Sequence, residues 1–137
     1  MVIRDLSALQ GVKLHSPFAS VRARLGNPDT ADYSPPDDGD RFGSYTWQAL
    51  GIAVLTWLAD DDEVVWGVRL DAAGDPDPAL GFTVGSRRAD VLARFPGLWR
   101  EEENSLEADL DDGRVVVTLQ EDRVRSIQLI GPMGPGE

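Results

Sequence analysis

Gly11-Val12-Lys13-Leu14-His15-Ser16-Pro17 is answered seventy positions later by Gly81-Phe82-Thr83-Val84-Gly85-Ser86-Arg87. Each stretch is Gly, two residues, an aliphatic, one residue and Ser, and each leads into a helix-like run. A Ser at this place reads as a helix cap, its oxygen accepting from an orphan N–H of the first turn. Pro17 suits the first helical position. Phe18, Val21 and Leu25 then make one apolar stripe, and Gly26-Asn27-Pro28 stops the helix. In the second copy Ser86 is the cap, Val91, Leu92 and Phe95 form the stripe, and Pro96-Gly97 is the stop.

The repeat continues past the helices. Asp29 to Asp40 reads as a polar loop, after which three strands are predicted over 44–50, 52–58 and 64–70. In the second half Leu106, Ala108 and Leu110 answer Tyr45, Trp47 and Ala49. The run from Gly113 to Leu119 answers that from Gly51 to Trp57, and Val124, Ile127 and Leu129 answer Val65, Val68 and Leu70. The spacing between copies changes only at predicted loops, where insertions are best tolerated.

The expected fold class is therefore α+β: two tandem α-βββ repeats with antiparallel meanders and the helices packed on one sheet face. The expected organisation is a helical lead-in at 1–10, a first repeat at 11–71 and a linker at 72–80. A second repeat at 81–131 and a Gly/Pro-rich tail at 132–137 follow. One repeat of about sixty residues is marginal alone, so the two should share a core. One continuous sheet and two packed sheets both satisfy that requirement.

A lead segment of this form, a short helix ending in Leu25-Gly26-Asn27-Pro28 and a following meander resemble the repeat of the β-lactamase inhibitor protein. They are also similar to the small outer-membrane assembly lipoproteins of related fold. The resemblance implies a fold that binds other proteins through its exposed sheet and loops. It transfers no functional residue, and this chain departs from both families in lacking cysteine.

Composition narrows the function. Of 137 residues, 13 are basic and 24 acidic, a formal net charge of −11. Such a surface repels a phosphate backbone and favours a basic partner. Without cysteine there is no disulfide and no thiolate chemistry. The N-terminus shows no secretory pattern and no apolar run is long enough to span a membrane, so a cytoplasmic protein is expected. Lys13 is the single lysine beside twelve arginines, a usage typical of a GC-rich bacterial genome.

Side chains with chemical potential are few. His15 is the single histidine, and its counterpart is Gly85, so the position reads as a turn. Asp37-Asp38-Gly39-Asp40 and the acids from Asp71 to Asp77 lack the spacing of a calcium loop. There is no nucleophile–base pair and no phosphate loop, so no catalytic residue, cofactor or metal is assigned and a non-enzymatic protein is expected. Trp47, Trp57 and Trp66 are read onto the core face by alternation. Trp99 is read as exposed, with Tyr33 in the matching loop. The opposite face is read as Thr46, Gln48, Val54, Thr56 and Arg69 in one repeat. In the other it is read as Glu107, Asp109, Arg114, Val116, Thr118, Ser126 and Gln128. The candidate partner-binding residues are Tyr33, Trp99, Glu101, Glu102, Asp109 and Arg114.

The expected function is an acidic protein-binding module of inhibitor or immunity type that neutralises a basic partner, as a monomer or weak homodimer. The alternative is a small-molecule or metal-ion binding domain using a cleft between the repeats.

Overall fold

The computed structural model describes residues 8–9, 12–33, 41–59, 62–71, 80–110 and 113–131. In the first half β1 (Ala8–Leu9) and β2 (Val12–Lys13) pair as a small hairpin before α1 (Phe18–Leu25). There follow β3 (Thr30–Tyr33), β4 (Arg41–Trp47), β5 (Ile52–Ala59) and β6 (Asp62–Leu70). The second half is α2 (Arg88–Ala93), β7 (Arg100–Glu101), β8 (Ser105–Leu110), β9 (Gly113–Gln120) and β10 (Arg123–Ile130). All but the first two strands form one antiparallel sheet of order β3-β4-β5-β6-β10-β9-β8-β7.

This corrects the expected fold class. The protein is mainly β, because the helices hold only eight and six residues and cannot cover eight strands. Much of the core comes instead from chain outside the helices: Val12, Leu14, Leu80 and Phe82 are buried. The meanders also have four strands each, not three. The additional ones, β3 and β7, lie at the two sheet edges. Thr30, Ala31 and Asp32 of β3 are all exposed, so no apolar alternation marks that strand in the sequence.

Of the two expected sharing modes, the structure takes the continuous sheet. Strands β6 and β10 pair directly, Leu70 with Ile127, Arg69 with Gln128 and Val68 with Leu129. Val68 and Leu70 are the counterparts of Ile127 and Leu129, so the pairing exchanges equivalent residues about the Arg69–Gln128 pair. That pair marks a pseudo-two-fold axis.

Both repeats also carry the same irregularity. Thr56 pairs with Val65 and Leu55 with Gly67, leaving Trp66 as an extra residue. Leu119 pairs with Val124 and Thr118 with Ser126, leaving Arg125. Onto each bulge docks the lead segment. His15 N–H donates to the Val65 carbonyl (2.7 Å) and Val65 N–H to Ser16 (2.9 Å). Gly85 and Ser86 do the same to Val124, both at 2.8 Å. The expected turn at His15 is observed, with φ of 68° against 97° at Gly85.

The serines do not cap helices. Ser16 Oγ donates to the Lys13 carbonyl (2.6 Å), and Ser86 Oγ accepts from Thr83 N–H (3.0 Å), so each closes the turn ahead of its helix. At α2 the first-turn role passes to Asp90, whose carboxylate accepts from Arg87 N–H (3.1 Å).

The helical lead-in expected at 1–10 falls mainly outside the described residues, and its end, Ala8–Leu9, is strand. Of the linker expected at 72–80, residues 72–79 lie outside them and Leu80 is fully buried in the core; the tail at 132–137 also lies outside them.

Candidate functional site

The sheet has one face in the core and one facing away from it. On the core face Tyr45, Trp47, Ile52, Val54, Val68, Leu70 and their counterparts are buried. Residues directly opposite on neighbouring strands share a face, so the register fixes the other face. One row runs Thr46, Ala53, Arg69, Gln128, Val116, Glu107 and Arg100. The next runs Ser44, Leu55, Gly67, Ile130, Arg114 and Asp109. A third, at the end of the first repeat, brings Phe42, Trp57 and Val64 together.

This overturns part of the sequence reading. Val54 and Thr56 are fully buried, whereas Trp57 and Trp66 are half-buried away from the core. For Val54, Thr56 and Trp57 the cause is a one-residue slip, whereas Trp66 is turned outward by the bulge that makes it the extra residue between Val65 and Gly67. Pairing shows that Ile52 and Val54 match Val115 and Val117, because the equivalent pairs Trp47–Ile52 and Ala108–Val115 are separated by two fewer residues in the first repeat. Gly51 and Gly113 are therefore not equivalent. Gly51 closes a turn with φ of 67°. Gly113 starts β9 against the Ile130 carbonyl. A slip of one residue exchanges the two faces of a strand. For the second repeat the expected outer residues, Glu107 to Gln128, all lie on the outer face.

The two halves of that face differ in chemistry. In the second repeat it is an ion-pair lattice. Arg100 binds Asp109 through both guanidinium ends (3.1 and 3.2 Å), and Glu107 stands 4.0 Å from Arg100 and 3.9 Å from Arg114. The Asp109 hydrogen bond, then its charge, holds the Arg100 guanidinium above its usual range. In the first repeat the outer face carries an apolar group at the Phe42–Trp57 end. Phe42 meets Trp66 edge to face (centroids 6.5 Å, 82°), and Trp66 Nε1 donates to the Thr56 carbonyl (3.1 Å). Leu55 leans over Gly67, where an added Cβ would stand 3.1 Å from Leu55 Cδ1.

Equivalence through the pairing makes the second repeat an internal control. Where the first has Leu55, Trp57, Val64 and Trp66, the second has Thr118, Gln120, Arg123 and Arg125. Arg125 even donates to Gln120 (2.8 Å), the counterparts of Trp66 and Trp57. The same sheet positions are thus polar in the second repeat and apolar in the first.

A second asymmetry lies at the core edge. Glu63 accepts hydroxyl donors from Tyr45 and Thr56, and Tyr45 stacks on Phe18 (centroids 4.0 Å, 22°). Gly43 leaves room for this cluster. Its counterpart carboxylate, Asp122, instead meets Arg88 (3.3 Å), which stands where the first repeat has Phe18. Arg88 also donates to the Glu103 carbonyl (2.6 Å) and lies 3.7 Å from Glu101. One carboxylate position is satisfied by hydroxyls in one copy and by a guanidinium in the other.

The predicted partner-binding residues are scattered. Asp109 and Arg114 belong to the outer lattice. Glu101 and the Glu102 carbonyl gather around Arg88 at the β7–β8 turn. Tyr33 ends β3 opposite Gly43. Trp99 is not an exposed aromatic: it packs on the core beside Phe82 and Phe95 (centroids 6.1 and 6.5 Å), and its Nε1 donates to the Arg94 carbonyl. Phe42, Leu55, Trp57 and Trp66 were missed as a group. The signal was present in β5, which is apolar on both parities, as a strand with both faces covered should be.

Among the described residues no group of His, Cys, Asp and Glu is placed to hold a metal ion, and no helix is long and apolar enough to cross a membrane. Where a cleft between repeats was expected, β6 and β10 are hydrogen-bonded neighbours.

No family model matches the chain, and no curated protein is similar to it in sequence. Among solved structures it is similar to a cysteine-rich secretory protein from Staphylococcus aureus, with a TM-score of 0.59 over 96% of this chain and 50% of that one. The likeness is one of fold. At 11% identity it carries no residue across, and this chain spans about half the length of that protein.

Proposed function

We propose that the protein is a non-enzymatic protein-binding module whose docking surface is the outer sheet face of the first repeat. One observation carries this reading. Phe42, Leu55, Trp57 and Trp66 stand on an outer face that the second repeat builds with polar residues at equivalent positions, so the fold does not require aromatics there. Aromatic side chains held by mutual contact on a rigid sheet are the usual anchors of protein interfaces. The inhibitor-like or immunity-type role expected from the sequence, in the cytoplasm and with the chain as a monomer or weak homodimer, is compatible with such a surface.

A comparative pull-down tests it. The wild-type chain and a Trp57→Gln/Trp66→Arg variant, which copies the second repeat's residues, are used as baits in native lysate. The expected result is a protein retained by the wild type and lost with the folded variant. Equal retention by both baits, or no specific retention by either, contradicts the reading.

A further inference from the structure

We infer that the second repeat carries a site for a phosphate monoester, held by Arg87 and Arg123 at the end of its outer face. The site is separate from the docking surface of the first repeat and does not rest on it. Arg88 N–H donates to the Asp122 carbonyl (2.9 Å) and Val124 N–H to the Ser86 carbonyl (2.8 Å). Between these two bonds Arg87 and Arg123 stand directly opposite each other. This is the closely spaced kind of antiparallel pair, in which side chains are nearest, and like charges placed so are destabilising. The register continues the row. Gln120 pairs with Arg123, and Arg125, the extra residue of the bulge, donates to Gln120 (2.8 Å).

Neither the fold nor the composition requires this cluster. At the equivalent places the first repeat pairs Pro17 with Val64 and has Trp66 in its bulge. The chain holds 24 acidic residues against 13 basic ones, so neutralising partners are plentiful. Elsewhere on the outer face they are used: Arg69 meets Asp71 (2.9 Å), Arg100 meets Asp109 (3.1 Å) and Arg114 lies 3.9 Å from Glu107. Among the described residues no carboxylate forms an ion pair with Arg87, Arg123 or Arg125. Two neighbouring carboxylates are engaged otherwise, Asp122 with Arg88 and Asp90 with the Arg87 N–H. Glu121 lines the same cleft as Arg87, Arg88 and Arg123 without pairing with any of them.

Two exposed guanidiniums opposed in this way fit an anion between them. Arginine presents a planar fork of donors that matches the oxygens of carboxylates and phosphates. A carboxylate would balance one of the opposed pair. A phosphate monoester, nearly doubly charged at neutral pH, balances both. A compact anion fits better than an extended one. Glu101, Glu102 and Glu103 are exposed around Arg88, and the whole chain carries −11, so a nucleic acid would be repelled.

The test uses the full chain, with the arginine Nε–H and indole N–H signals followed by two-dimensional NMR at constant ionic strength. The probes are inorganic phosphate, a short phosphoserine peptide and acetate. Phosphate and the peptide should shift the Arg87 and Arg123 signals saturably and leave those of Trp57 and Trp66 in place. Acetate should bind at least about tenfold more weakly. A peptide that binds more tightly than phosphate assigns the group to a phosphorylated partner, and equal affinity assigns it to a free phosphate; either result upholds the site. Arg123→Val, which copies Val64 of the first repeat, and Arg87→Gln should each weaken phosphate binding at least about tenfold, while Glu121→Gln should tighten it. Acetate binding as tightly as phosphate overturns the monoester assignment. The absence of a saturable shift at Arg87 and Arg123, or phosphate binding unchanged in both arginine variants, overturns the site.

Discussion

Leu129→Ala probes the seam that makes one protein of two repeats. Leu129 is fully buried in β10, between Val68 of the first repeat and Val115 of β9, both also fully buried. Its removal leaves a cavity walled by β-branched side chains that have little rotamer freedom to refill it. Leucine-to-alanine changes at such sites cost about 2–5 kcal/mol, and we expect about 3. A domain of this kind is stable by about 5–15 kcal/mol, so the variant should still fold. With a urea dependence of about 1–3 kcal/mol per molar, the midpoint should fall by roughly 1–3 M. The assay is urea unfolding followed at the indole signals of Trp47 in the first repeat and Trp99 in the second. Because β6 and β10 are neighbours in one sheet, both signals should be lost together at the lowered midpoint. A midpoint lowered for Trp99 but unchanged for Trp47 would refute the shared core.

Two further outcomes follow from the same packing. Gly43→Ala should cost about 1–3 kcal/mol by chemical denaturation, because its Cβ would stand 2.6 Å from Thr56 Oγ1 and crowd the hydroxyls that serve Glu63. Fragments 1–75 and 79–137 expressed separately should give no cooperative thermal transition by circular dichroism, since each loses half of the seam.

How much of this was legible in the sequence depends on how the chain marks its faces. In β8, Leu106, Ala108 and Leu110 alternate with Glu107 and Asp109, and that alternation placed the second repeat's outer face correctly. In β5 nearly every residue is apolar, so the register there hung on matching Gly51 to Gly113. That match is one position out, which sent Trp57 to the wrong face, while the bulge at Trp66 breaks the alternation from Val68 and Leu70 and turns that side chain outward. The edge strands were hidden for the opposite reason. Thr30 to Asp32 and Arg100-Glu101 bury too little to show a period. The helices were over-read because their stripes continue into non-helical chain. Phe95 belongs to the stripe in sequence, yet α2 ends at Ala93 and Phe95 has a φ of 58°. The turn at His15, by contrast, was legible from the repeat alone, because its counterpart is glycine.

The measurement that bears most directly on the account is the unfolding free energy of the Trp57→Gln/Trp66→Arg variant. If the aromatics of the outer face serve a partner, the variant should stay within about 2 kcal/mol of the wild type, with unchanged Trp47 and Trp99 signals. A loss above about 4 kcal/mol would make them core residues and contradict the docking surface.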